Sequence, residues 1–370
     1  MKINVFSLKR DDTEYEKSIV NDIIYFEEVN IVNKLTRILK IIVLNPIKYF
    51  KIIKLIIMDA GNYTFYDLFR YIRHLHIGLY YSDYIANEDF DSMYSHWETG
   101  TTIAAVINKF SGLKYSICLH ANEIYAERWI PDWKFVNTKF IVVNNTYNKH
   151  YFNLITNYAY YKKIKIIRNV PPNIELKFIN RKSPRTPLNL LSLGRLVHFK
   201  DHPTLLEACK LLAENDIEFK LRIGGSGDTI DLIKSLIKRY DIMQYVELLG
   251  AYEENDIWKF LDNSDIFVHA SGIGFGGTRD GLPNVIIESM LACVPVISTY
   301  ISSIPEAIEN EKDGLLIPEK NPKALYDAIC ELNQNHQLYE KISKNSAIKA
   351  REIFNKSDTV TLLQETFNID

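Results

Sequence analysis

A chain of 370 residues with 47% hydrophobic residues, 23 Tyr and 18 Phe has material for more than one packed core, which excludes a disordered chain and favours two domains. Its 44 Lys and Arg nearly balance 46 Asp and Glu, so no global charge points to nucleic acid as a partner. The four cysteines, Cys118, Cys209, Cys293 and Cys330, lie far apart with no C-x-x-C pair, which argues against a zinc site and against a disulfide framework and reads as four buried thiols in a reducing cytoplasm.

In chain order, MKINVFSL is strand-like and lacks the basic-then-apolar pattern of an export signal, and no apolar run reaches the length of a membrane span. The expectation is a protein that stays in the cytoplasm. Residues 31–58 are locally unbalanced: every charge is positive, and Lys34, Arg37 and Lys40, then Lys48, Lys51 and Lys54, recur at three-residue steps among Ile and Leu, with a break at Pro46. Two readings are open, a helical pair packed on its own domain with a solvated basic face, or a surface that docks on anionic lipid. Further on, TTIAAVINKFSG (101–112) reads as a helix, LKYSICLHA (113–121) and KFIVVNN (139–145) as strands, and KKIKIIRNV (162–170) as a short strand closed by Pro171 and Pro172. Strands alternating with helices predict a parallel sheet covered on both faces.

From 171 to 187 four prolines and no period mark an interdomain linker. The alternation then restarts: strands at LNLLSLGRL, FKLRIGG, YVELLG, DIFVHA and PVIST are separated by helices at PTLLEACKLLAEN, TIDLIKSLIKRY, NDIWKFLDNS and PNVIIESMLAC, with a short helix at IPEAIEN. Two successive arrays predict two Rossmann-like domains facing across a cleft, with ligands at the carboxyl ends of the strands. In this reading residues 1–172 are the first domain, 173–187 the linker and 188–350 the second domain, with 351–370 a C-terminal helix that has a route back to the first.

Three strand-end loops of the second array carry chemistry. Arg195 and Lys200 follow its first strand, Gly224-Gly225-Ser226-Gly227 its second, and SGIGFGGTRDG (271–281) its fourth, feeding Pro283. Proline suits the first helical position, and the free N–H groups of that first turn form an anion site. The glycines either let backbone approach a ligand closely or simply make a mobile surface loop. Asp280 lies beside the anion site, and Glu288 shares a helix face with Asn284, where its carboxylate can accept hydrogen bonds from vicinal sugar hydroxyls. Among Val285, Ile286, Ile287 and Met290, Glu288 is poorly placed for the usual surface ion pair. The acids of DFD, Asp89 and Asp91, read as surface, and GGSGDTI lacks the third glycine of a nicotinamide fingerprint.

In their order, GRLVHFKD, LRIGGSGD, DIFVHAS, DGLPNVIIESMLACVPVIST and IPEAIENEKDGLLIP resemble the C-terminal domain of retaining GT-B enzymes of glycosyltransferase family 4, most nearly the branch that builds exopolysaccharide such as colanic acid, capsule or lipopolysaccharide. The resemblance covers nearly all of 188–330. It implies an α/β, GT-B fold and transfer of a sugar, with retention, from a nucleoside-diphosphate sugar to a saccharide or lipid-linked saccharide acceptor. No metal and no other cofactor is expected, because protein groups and a helix dipole would neutralise the leaving diphosphate.

By that resemblance Asp280 and Glu288 stand at the ends of the family's E-x7-E motif, Asp280 on hydroxyls of the transferred sugar and Glu288 on the ribose. Asp in place of Glu shortens the reach by one methylene and leaves donor preference open. Arg195 and Lys200, with Gly281, Leu282, Pro283 and Asn284, would hold the donor diphosphate, and Gly225, Ser226 and Gly227 would lie beside the nucleoside. SHWETGTTIAAVINKFSGLKYSICLHANEIYAE resembles the acceptor domain, with His120 lining the reaction centre and Asn122-Glu123 where the motif usually continues to Asp. The family has a first strand and a glycine- or SETF-like loop ahead of the segment that MKINVFSLKRDDTEYEK resembles, so a late start is expected. That predicts a less stable N-terminal domain and weak or absent turnover, and keeps open a catalytically weak relative that binds a nucleotide-sugar or a partner protein. The expected station is the cytoplasm, at the inner face of the plasma membrane.

Overall fold

The computed structural model describes residues 3–8, 20–59, 64–125, 131–171 and 181–367. The acidic segment after the first strand, most of the proline-rich linker and the side chain of Asn122 lie outside the described residues.

β1 (Ile3–Ser7) and β2 (Val20–Tyr25) pair in parallel as a two-stranded sheet. Three helices follow, α1 (Ile31–Leu44), α2 (Pro46–Asp59) and α3 (Phe65–Ile85). Each start has a local cause: Asn30 accepts from the Val32 amide at 2.8 Å, Pro46 opens α2 where a missing N–H is no loss, and Thr64 and Asp67 cap α3 reciprocally. Buried Tyr81 on α3 donates its hydroxyl to the carbonyls of Ser7 (3.1 Å) and Ile24 (3.4 Å), which ties the strand pair to the helices.

β3 (Met93–His96), α4 (Trp97–Ser111), β4 (Tyr115–Leu119), α5 (Ala121–Tyr125), β5 (Thr138–Val143), α6 (Thr146–Ile155) and β6 (Ile164–Ile166) build a four-stranded parallel sheet in the order β3-β4-β5-β6. Periodicity does not announce β2 or β3, because VNDIIY and MYSH are short and broken by polar residues. KKIKIIRNV shrinks to three strand residues, since Tyr161–Lys163 makes a 3-10 turn.

The second array contains β7 (Leu188–Leu193), α7 (His202–Glu214), β8 (Phe219–Gly224), α8 (Ile230–Arg239), β9 (Val246–Gly250), α9 (Asp256–Asp262), β10 (Ile266–His269), α10 (Asn284–Leu291), β11 (Val296–Thr299), α11 (Ile304–Ala307) and β12 (Leu315–Ile317). Their sheet is parallel in the order β12-β11-β10-β7-β8-β9. Leu190 packs in the core on one face with Leu205 and Leu221, and Leu191 on the other with Phe267 and Ile287, so the central strand is apolar on both sides. Strand order reverses between β7 and β10, and the loops after those two strands therefore open into one crevice.

α12 (Pro322–Gln334), α13 (His336–Ile353) and α14 (Lys356–Phe367) complete the described chain. The last helix begins at Lys356 rather than 351, because α13 continues to Ile353. It lays Phe367 against Tyr94 and Phe140 of the first sheet, with ring centroids 5.0 and 4.8 Å apart. Cys118, Cys209 and Cys293 are buried, but Cys330 is only half-buried, which corrects the reading of four buried thiols. Among the described residues no helix is long and apolar enough to cross a membrane.

Candidate active site

At the strand-order reversal, Asp280 from the loop after β10 meets Lys200 from the loop after β7. The Lys200 Nζ lies 2.9 Å from Asp280 Oδ2, and His269 Nε2, at the end of β10, lies 3.0 Å from the same oxygen. The two loops are also joined by the Gly272 amide, which donates to the Phe199 carbonyl at 2.8 Å. Burial alone would push the Asp280 carboxyl up, but the Lys200 ammonium and the contact with His269 outweigh it and hold the group well below the usual carboxylate range. His269 is lowered, first by burial and then by the charge of Lys200. Arg195 is not drawn into this cluster: it is exposed, with its guanidinium 6.0 Å from the Phe199 ring centre.

α10 starts beside Asp280. Pro283 is its N-cap rather than its first residue, and Gly281, Leu282 and Pro283 are half-buried while Asn284 is exposed. Among the described hydrogen bonds, the first-turn amide of Ile286 returns to the Pro283 carbonyl at 3.1 Å, while the amides of Asn284 and Val285 donate to no protein group. Such free N–H groups make an anion site. Further along the helix Glu288 is 5% exposed and its Oε2 has no hydrogen-bond partner. Burial, reinforced by the charge of Glu254, pushes its carboxyl up to about 7. A buried acceptor without a donor is costly, and a ligand hydroxyl would relieve it.

The glycines are used by the fold itself. Gly225 has φ +141°, and a Cβ there would lie 1.8 Å from the Gly194 carbonyl oxygen; one on Gly227 would lie 2.1 Å from that of Leu196. The Leu196 amide donates to the Ser226 carbonyl at 2.9 Å, so the loops after β7 and β8 pack backbone to backbone. Ser226 and Gly227 remain exposed.

The opposite wall comes from the first sheet. His120, just past β4, stacks on Trp97 at 4.2 Å between ring centres and reaches His96 Nδ1 with its Nε2 at 3.5 Å. Its backbone amide donates to Glu123 Oε2 at 2.8 Å. Burial, then His96, lowers the imidazole to about 4, so His120 is neutral at physiological pH. Among the described residues, Cys118 Sγ and one ring nitrogen each of His96 and His120 lie within 4.8 Å of one another. A Cβ on Gly281 would come 3.3 Å from that of Ala121, so the neighbours of Asp280 and of His120 touch across the cleft.

The backbone superimposes on solved glycosyltransferase structures. A Staphylococcus aureus TarM mutant in complex with UDP and α-GlcNAc-glycerol gives a TM-score of 0.64 at 19% identity, covering 80% of this chain and 59% of that one. Anabaena HepE in complex with UDP-glucose gives 0.66 at 16% identity, covering 79% and 81%. The chain has the GT-B fold. Residues 173–349 match the family model described as Glycosyl transferases group 1. Over 153 residues the chain is 35% identical to WcaL of Escherichia coli (strain K12), named for colanic acid biosynthesis, covering 41% of this chain and 38% of that protein. Over 186 residues it is 31% identical to the amylovoran biosynthesis glycosyltransferase AmsK of Erwinia amylovora, covering 50% and 45%. The chain spans less than half the length of these curated relatives.

In this GT-B chain several residues at the cleft have no signal of their own in the sequence. His269 simply closes the apolar run DIFVHA. Arg279 lies over the rings of Tyr125 (4.4 Å), Tyr151 (5.0 Å) and Tyr147 (5.9 Å), a cage built by the first sheet's helices for a residue of the second domain. Glu306 accepts from the Thr146 and Tyr147 amides at 3.0 and 2.6 Å, placing a carboxylate on the N-terminus of α6. The i, i+4 spacing of Tyr147 and Tyr151 is the one trace of the cage legible beforehand.

Proposed function

We propose that the chain is a glycosyltransferase that moves a sugar from a nucleoside-diphosphate sugar to a saccharide or lipid-linked saccharide acceptor, with retention, in cell-surface polysaccharide synthesis. The observation that carries this reading is the unpartnered carboxylate oxygen of buried Glu288 on the helix whose free first-turn amides adjoin the Lys200–Asp280 pair. A buried acceptor, an anion site and a cation on one crevice suit a ribose and a diphosphate. The names of WcaL and AmsK support the polysaccharide setting.

Breaking the sugar–phosphate bond builds negative charge on the departing diphosphate and oxocarbenium character at the anomeric carbon. Lys200, with Arg195 swinging in from the loop after β7 and the α10 amides, stabilises that charge more in the transition state than in the ground state. No metal is needed for this. Asp280 receives hydroxyls of the transferred sugar once the diphosphate has taken over Lys200, Gly225 to Gly227 flank the nucleoside, and neutral His120 faces the acceptor. Such an acceptor is met at the inner face of the plasma membrane.

Calorimetry in EDTA with UDP- and GDP-sugars, followed by incubation with membrane saccharide acceptors and NMR of the product anomer, tests the reading. Binding without metal and a retained anomer are expected. A chain that binds no sugar nucleotide, or that binds one and never turns it over, would not be this enzyme.

A further inference from the structure

α1 and α2 carry apolar residues on two faces. On α1, Ile38 and Ile41 are buried in the core, yet Val32, Leu35, Leu39 and Val43, at steps of three and four residues, are each more than half exposed. A second stripe at helical spacing thus faces away from the protein. On α2, Ile52 and Ile56 are buried while Ile47, Phe50 and Ile57 are exposed, and Phe65, Tyr66 and Phe69 at the start of α3 are exposed as well. Exposed apolar area on that scale marks an interaction surface.

The charge beside it is of one sign. No Asp or Glu falls within residues 31–58. Arg37 and Lys40 are turned back onto buried Asp83, at 3.1 and 2.6 Å, so the six basic residues of the segment do not all face outward. Lys48, Lys51 and Lys54 do something else: with Lys109 of α4, Leu55 and Met58 they line a pocket of about 360 Å³. None of these four ammonium groups pairs with an acid among the described residues. Lysines gathered without counter-charge suit a phosphate-bearing anion, and exposed apolar side chains next to them suit hydrocarbon.

We propose that α1, α2 and the start of α3 dock the chain flat on an anionic phospholipid bilayer, the lysine pocket receiving a phosphodiester headgroup and the outer stripe entering the acyl boundary. Helices of 14 residues are too short to span a bilayer and suit its interface. A second copy of the chain fits this face less well, since a two-fold contact would bring the same lysines against one another. Docking and nucleotide binding use different residues, so either can fail alone.

Co-sedimentation of the whole chain with phosphatidylcholine vesicles, with and without phosphatidylglycerol, tests the proposal. Binding should require phosphatidylglycerol and fall as salt rises. Lys51→Gln with Lys54→Gln should weaken it about 25-fold, roughly fivefold per lysine, and Leu39→Ser with Val43→Ser should weaken it too, while both pairs keep the helical circular dichroism and UDP affinity of the parent. Equal binding to neutral vesicles, binding indifferent to the lysine pair, or a concentration-dependent dimer that ignores vesicles would overturn it.

Discussion

Lys200 and Asp280 form an ion pair, Nζ to Oδ2 at 2.9 Å, across the two loops at the strand-order reversal. The lysine proposed to hold the donor diphosphate is therefore already engaged, and a phosphate must compete with Asp280 for it. Lys200→Ala should weaken UDP binding by roughly 1.5–3 kcal/mol, the scale of a charge-assisted contact. Asp280→Asn frees the lysine and removes a negative neighbour, so UDP affinity should hold or rise while sugar transfer is lost. Calorimetry of both variants decides: an Asp280→Asn protein that loses UDP as severely as Lys200→Ala would sink the competition.

Glu288 gives the site a pH dependence. Its folded-state carboxyl stands at about 7 against an ordinary 4.5, with burial the main cause. Below 4.5 the group is protonated in folded and unfolded chains alike; between 4.5 and about 7 only the unfolded chain loses its proton, so stability falls as pH rises through that window and then levels. At about 1.4 kcal/mol per pH unit the loss is on the order of 3 kcal/mol. Glu288→Gln should flatten this slope and raise the thermal midpoint of the free protein at pH near 8. Two ribose hydroxyls would favour the charged form, so UDP-sugar affinity in the parent should increase from pH near 6 to 8 with proton release, and the Gln variant should show neither. Calorimetry in buffers of different ionisation enthalpy reads the proton count.

The second domain was largely legible in the sequence because its chemistry is local. Lys200, Asp280 and Glu288 sit in loops and a helix whose order after apolar strands places them at one sheet edge. What stayed hidden depends on contacts between distant segments. Arg279 reads as one more loop cation until α6 brings its tyrosines, and Arg37 and Lys40 read as surface until α3 presents Asp83. The glycines of the 224–227 loop invite a ligand reading, yet their nearest demand is the Gly194 and Leu196 backbone.

The cage around Arg279 should couple the domains. Arg279→Ala removes a cation held over three rings, a contact of about 0.5–2 kcal/mol, while the contacts of Asp280 with Lys200 and His269 do not run through it. Transfer should fall roughly tenfold, with UDP affinity and thermal midpoint near those of the parent and a raised KM for acceptor. Steady-state kinetics with acceptor varied is the check; a loss confined to UDP binding would place Arg279 in the donor site instead.

The first domain has its own test in Lys134. This lysine is 1% exposed, contacts the carboxylate of buried Glu98 and donates to the Tyr71 hydroxyl at 2.9 Å, while Thr102 donates to Glu98 Oε1 at 2.8 Å. Burial would raise the Glu98 carboxyl, but Lys134 reverses that and holds it at about 2. The stabilisation it confers is present above its ordinary 4.5 and is lost as pH falls through about 2. Lys134→Met leaves the buried carboxylate with only the more distant Arg70, 3.9 Å from its other oxygen, and should cost about 3–5 kcal/mol at neutral pH. The same change works on the titration: burial, the largest influence on Glu98, is then opposed only by the Thr102 hydrogen bond and Arg70, its carboxyl rises, and the variant should regain stability as pH falls from 7 towards 5, where the parent is flat in this group. Urea unfolding of parent and variant at both pH values shows it. A variant equally destabilised at both would mean that lost packing of the lysine stem, rather than an orphaned charge, sets the cost.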